Sequence, residues 1–162
     1  MADLDWADDP ATAEAVARFF ARTIGDDPRY ISHGEIQCGL SDDGLHWHPE
    51  LEARFREDMR DIGEETGLLV ARAADGEIAG AAIVEWTVTR RVRFATLADL
   101  SVAPGQRSTG LGAHMLAAIE CEARRRGMAW IFLESGKDNL RAHGFFERHG
   151  FKELSHVFAR RL

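Results

Sequence analysis

The stretch Ala98-Asp-Leu-Ser-Val-Ala-Pro-Gly-Gln-Arg-Ser-Thr-Gly-Leu-Gly-Ala113 carries an apolar, β-branched run through a glycine-bearing turn at Pro104 into an amphipathic helix. The first N–H groups of a helix have no partner inside it, and the helix dipole is positive at that end. Gly110 and Gly112 have no Cβ to hold an anion off the backbone, and Arg107 adds a full positive charge, so the junction suits a phosphate. The spacing lacks the lysine and distal glycine of a nucleotide P-loop and is one glycine short of the dinucleotide fingerprint. The phosphates therefore belong to another kind of ligand.

Working outward, the helix that opens here runs from about Thr109 to Arg126, with Leu111, Met115, Ala118 and Ile119 inward and Arg124-Arg-Arg126 against the negative end of the dipole. Cys121 falls beside this apolar face and reads as a buried free thiol. Upstream, Leu68–Ala73 and Ile78–Thr89 form a hairpin through Asp75-Gly76, which supplies the positive φ angles a tight turn needs, and Phe94–Val102 adds a third antiparallel strand. Downstream come a strand over Ala129–Ser135, a helix capped by Asn139 and ending at Gly150, and one more strand or bent pair over Glu153–Leu162. Nearer the N-terminus, Val16, Phe19, Phe20 and Ile24 mark a first helix after Pro10. Residues 26–48 read as irregular, and Leu51, Phe55, Met59 and Ile62 mark a second helix from Pro49 to about Glu65.

The order Arg107-x-x-Gly110-x-Gly112, then Asn139-x-x-Ala142, then Phe145-Phe-Glu-Arg-His-Gly-Phe151 resembles the GNAT superfamily of N-acetyltransferases over residues 68–158. The resemblance implies a single α/β domain with a mixed, mostly antiparallel, centrally splayed sheet flanked by the four helices above. Residues 1–67 would supply the acceptor side and residues 68–162 the cofactor-binding core. It implies acetyl-CoA as co-substrate, with its pyrophosphate held by Gln106, Arg107, Ser108, Thr109, Gly110, Leu111, Gly112 and Ala113. Leu100 and Val102 on the strand, with Asn139 and Phe146 downstream, would flank the pantetheine arm. One position departs from the family pattern. A tyrosine that can protonate the leaving thiolate commonly stands where this chain has Phe146, and a phenyl ring donates no proton.

The chain has 162 residues, 45% of them hydrophobic, enough for one folded domain with a full core. Its 27 acidic against 20 basic residues give a net charge of −7, which disfavours a nucleic-acid backbone as partner and suits a cationic acceptor. Two cysteines are too few for a disulfide framework, the N-terminus is acidic where a signal peptide is basic, and no apolar run reaches a membrane span. A cytoplasmic protein is expected, acting without membrane or metal, with homodimerisation left open.

Amide formation from a thioester needs a free amine, a route for its proton, polarisation of the carbonyl and an exit for the thiolate. Asp99 is the carboxylate placed by resemblance beside the thioester, and Ser101 is a second catalytic candidate near the sulfur. A backbone N–H near Leu100 or Ser101, at the bulged end of the strand, would polarise the carbonyl. Tyr30, His33, Glu35, Trp47 and Glu85 are the candidate acceptor wall, with His46 and His48 as further bases. The expected activity is acetyl transfer to a primary amine of a small molecule by direct attack. The alternatives are transfer to a protein N-terminus or lysine, and a catalytically silent coenzyme A-binding module.

Overall fold

The computed structural model describes residues 2–162, and its sheet has five strands in sequence order: β1 (Asp3–Ala7), β2 (Thr66–Arg72), β3 (Ile78–Val88), β4 (Arg93–Val102) and β5 (Trp130–Leu133). The first four pair antiparallel, and β5 runs parallel to β4. The helices are α1 (Pro10–Ile24), α2 (His33–Gln37), α3 (Leu51–Asp58), α4 (Leu111–Arg125) and α5 (Leu140–Arg148), so the described residues hold one short helix more than the sequence pattern predicts.

The sheet is buried on both faces, which the continuous apolar run Leu68-Leu-Val-Ala71 requires. Successive side chains of a strand point to opposite faces. Leu68 and Val70 therefore join Phe19, Phe20, Phe55 and Met59 beneath α1 and α3, while Leu69 and Ala71 join Leu97, Met115, Leu116 and Ile119 beneath α4. Phe20 and Phe55 stack at 5.5 Å and lock α1 to α3. Removing either ring would cost about 3 to 5 kcal/mol.

Several expectations are corrected. Residues 3–7 form an edge strand against β2, although too short a segment to show alternation. Within the stretch read as irregular, Ser32 caps α2 in a reciprocal capping box with Glu35. The second helix stops at Asp58 and passes through a one-turn 3-10 helix at Met59–Asp61, after which Gly63 and Thr66 bridge to each other in the turn that leads into β2. Residues 151–162 carry no regular structure, and Leu154, Val157 and Phe158 are exposed; the adjacent Val157 and Phe158 break the period-two pattern a half-buried strand needs. Cys121 is exposed: it lies two residues past the buried Ile119, a rotation of about 200° on a helix.

Candidate active site

Strand β4 pairs with β5 only over Phe94–Leu97 against Trp130–Leu133, yet stays paired with β3 as far as Val102. Beyond Leu97 and Leu133 the two parallel strands part. A narrow cleft opens there, walled by Leu97–Ser101, Leu133–Ser135, Phe20 and Ile24 of α1, Tyr30, Glu35, and Asn139, Ala142 and Phe146 of the α5 region. The β4 edge from Ala98 onward has no neighbouring strand on this side, so it can pair with an extended ligand as an added strand would.

A β-bulge decides what β4 shows to the cleft. Leu97 pairs with Val84 and Asp99 with Ile83, leaving Ala98 as the extra residue, so the bulge lies upstream of the Leu100–Ser101 position expected for it. One inserted residue flips every later side chain to the other face. Leu97 therefore points with Val84 toward α4, whereas Asp99 points with Ile83 toward the α1 side and the cleft. The part-buried Asp99 loses hydration there and faces the carboxylates of Glu35, Asp58 and Glu85, and desolvation first, then these charges, push its pKa up to about 7. Ser101 also points to the α1 side, but its buried hydroxyl meets Thr23 Oγ1 at 2.9 Å, and Thr23 Oγ1 in turn donates to the Phe19 carbonyl at 2.8 Å. That chain ties β4 to α1 and directs the Ser101 hydroxyl, expected near the sulfur, to Thr23.

The segment from Pro28 to Gln37, where the acceptor wall is expected, borders the cleft through Tyr30 and Glu35. His33 Nε2 lies 3.1 Å from Glu134 Oε1 just beyond β5. Glu35 is held by Ser32, whose N–H and hydroxyl both donate to Oε2 at 2.6 Å. The wall closes on Gly136: a Cβ there would stand 2.8 Å from the Ile31 carbonyl oxygen and closer still to that of Arg29, both rigid backbone atoms. Gly136→Ala is accordingly expected to cost about 1 to 3 kcal/mol and to raise the KM for the acceptor, read by thermal melting and steady-state kinetics. Unchanged values for both would show that the two loops do not seat together.

The remaining acceptor candidates lie outside the cleft. Trp47 packs under α1 and donates its indole N–H to the Asp27 carbonyl at 3.1 Å. His46 pairs with Asp43, and His48 meets Arg54 and the Glu50 N–H. Glu85 is exposed on β3 and acts on Asp99 only through its charge.

At the other mouth of the cleft, Pro104–Gln106 makes one 3-10 turn and the chain enters α4 through two residues of positive φ, Ser108 at 64° and Gly110 at 90°. Thr109 Oγ1 donates to the Gln106 carbonyl at 2.7 Å and tightens the turn. Gly110 caps α4 with no side-chain bond, and a Cβ built on it would meet nothing within 4 Å. At Gly112 a Cβ would stand 3.5 Å from the Phe145 ring and 3.8 Å from Val102, in ordinary van der Waals contact. Leu111 is buried in the α4 core, leaving only its backbone for a ligand, and Ala113 is half-buried beside it. Arg107 is also corrected. Its guanidinium turns back to the Val102 carbonyl at 3.2 Å and the Thr23 carbonyl at 3.4 Å, and the cation that reaches the outer side of the turn is Arg141, 3.5 Å from Ser108 Oγ.

Splayed parallel strands, a bulged acid-bearing strand and an anion-ready helix start thus occur together, and the sequence profile of the acetyltransferase (GNAT) family matches residues 36–151. The chain belongs to that family. It is 35% identical over 111 residues to streptothricin acetyltransferase of Streptomyces lavendulae, an alignment covering 64% of this chain and 58% of the relative. The chain thus spans under two thirds of that curated relative's length. Among solved structures, the fold is shared with a transcriptional regulator from Bacillus halodurans C-125 (TM-score 0.74, 18% identity, 100% of both chains). It is shared as well with ribosomal-protein-alanine N-acetyltransferase from Brucella melitensis biovar Abortus 2308 (TM-score 0.72, 13% identity, 100% of both chains).

In this GNAT chain Asn139 caps α5 by accepting from the Ala142 N–H at 3.3 Å, and Leu100 and Phe146 line the cleft. Phe146 packs edge-on against Phe145 and Phe151, at 5.1 and 5.5 Å between ring centres. Sequence reasoning did not single out Glu134, Ser135 or Arg141, all of which stand inside its quoted motifs. Their roles depend on which way each side chain leaves a loop, and no periodicity reports that. Among the described residues no group of His, Cys, Asp and Glu is arranged to hold a metal ion, and no helix is long and apolar enough to cross a membrane.

Proposed function

We propose that the chain transfers the acetyl group of acetyl-CoA to a primary amine of a small molecule, by direct attack in a ternary complex. The observation that carries this is Asp99, turned by the Ala98 bulge into the cleft where β4 leaves β5. An alkylammonium of pKa about 10 arrives protonated at neutral pH. The Asp99 carboxylate attracts it and, with a pKa near 7, is matched to accept its proton. The freed lone pair attacks the acyl carbon, the C–N bond forms, the C–S bond breaks, and the sulfur leaves with the electron pair. The unpaired backbone edge past Ala98 offers N–H groups to the carbonyl oxygen as charge develops on it. The pyrophosphate would lie on the N–H groups of Leu111, Gly112 and Ala113, with Arg141 beside them. The acetyl-transfer activity of this reading agrees with the name of the Streptomyces relative.

Phe146 favours one rival reading, a coenzyme A-binding module without turnover. Thiol release from saturating acetyl-CoA, followed with a panel of mono- and diamines, decides between them. Turnover with at least one amine is expected. Acetyl-CoA that raises the melting temperature but releases no thiol with any amine would overturn the transferase assignment.

A further inference from the structure

We propose that the Ser135 hydroxyl is the hydrogen-bond donor that stabilises the departing thiolate, taking the part that Phe146 has no atom to play. This rests on the transferase reading above.

Ser135 Oγ is fully buried, lines the cleft, and has no hydrogen-bond partner among the described residues. A buried hydroxyl without a partner costs about 1 to 3 kcal/mol, so its persistence at a reaction cleft calls for a partner that arrives with the substrate. Ser135 stands just past the end of β5 and lines the same cleft as Asp99, Leu100 and Phe146, the cleft in which the transferase reading puts the thioester. The thiolate formed there is the partner assigned to it.

The backbone that presents Ser135 is held from several directions. The next carbonyl, Gly136 O, accepts from Asn139 N–H at 2.9 Å and from His143 Nε2 at 3.0 Å, which puts the His143 proton on Nε2. Gly136 itself sits against the Arg29 and Ile31 carbonyls. A donor fixed in advance stabilises developing charge without reorganising, which is the condition for a large rate effect. In the step, the first ammonium proton has passed through Asp99 to water, the neutral amine nitrogen bonds to the acyl carbon, and the second proton, which the amide cannot keep, goes to the freed Asp99 carboxylate. The C–S bond breaks, and the sulfur takes the electron pair while accepting the hydrogen bond from Ser135. Ser135 keeps its proton, because a thiol of pKa about 8.5 is far more acidic than an alcohol, and the thiolate leaves as the anion or is protonated by water.

The test compares wild type, Ser135→Ala and Ser135→Thr in steady-state thiol release, with the acetyl-CoA-induced melting shift measured for each. Ser135→Ala is expected to lower kcat about 10- to 100-fold, with the melting shift and the KM for the amine retained. Ser135→Thr, which keeps the hydroxyl, should hold kcat within a few-fold of wild type. Wild-type kcat in the alanine variant, equal losses in both variants, or a loss matched by a vanished melting shift would each overturn the assignment. A wild type that is itself silent with every amine would instead remove the transferase reading, so the two failures are distinct.

Discussion

Gly110→Glu is expected to abolish the rise in melting temperature that acetyl-CoA gives the wild-type protein, and to lower kcat/KM for acetyl-CoA by at least about a hundredfold. A ligand bound only by the folded state stabilises it by about 2.7 kcal/mol at a hundred times its Kd, which for a chain of this size is a shift of roughly 5 to 10 °C. Two effects remove it. A side chain on Gly110 enters open space beside the start of α4, and a carboxylate placed there competes for the positive end of the helix dipole and repels an incoming phosphate. The glutamate must also adopt the φ of 90° that glycine takes without strain. Gly110→Ala isolates that second cost: it should lower the intrinsic melting temperature yet keep a measurable acetyl-CoA shift. A full shift in the glutamate variant would place the phosphates elsewhere.

For Asp99→Asn the expected result is a loss of turnover together with a gain of stability. Removing a general base costs about 10²- to 10⁴-fold in rate, and acetyl-CoA binding should be spared because Asp99 faces the acceptor side. In the wild type, activity should fall as the pH drops through about 7, where Asp99 takes up a proton, and the asparagine variant should lack that limb. The sign for stability is the reverse of the usual carboxylate. The folded-state pKa lies above the ordinary 3.8, so the native state holds its proton more tightly. Stability is therefore greatest below the unfolded value, declines as the pH rises toward about 7, and levels off above it. Asparagine carries no charge at any pH, so the variant should melt above wild type at pH 8, by no more than roughly 4 kcal/mol, with the gap closing toward the ordinary carboxylate range. Equal turnover of the two proteins between about pH 6 and 9 would take Asp99 out of the mechanism.

Much of the framework was legible because it is local. Three- and four-residue apolar spacing placed α1 and α4, Asp75-Gly76 placed the β2–β3 turn, and Asn139 announced the cap of α5. The family resemblance rested on the same kind of signal, since Arg107-x-x-Gly-x-Gly and Asn139-x-x-Ala are short motifs whose residue types follow from backbone conformation. The reading failed where a short segment lacks a period: β1 and α2 are five residues each, and their pairing or capping partners decide them.

The chemistry of the cleft belongs to the second class. Residue identity alone established that the strand now seen as β4 carries an acid, that a helix begins at about Thr109, and that position 146 carries no phenol. Whether Asp99 looks into the cleft depends on a single bulged residue, Ala98, because an extra residue in a period-two strand inverts every side chain after it. The same holds at the phosphate turn, where Arg107 folds back onto carbonyls from two other elements and Arg141, 34 positions along the chain, comes to stand at Ser108. Ser135 and Glu134 are neighbours in sequence, yet Glu134 meets His33 while the Ser135 hydroxyl is buried with no partner among the described residues. Such directions are fixed by register and by packing between distant segments, which only the folded chain brings together.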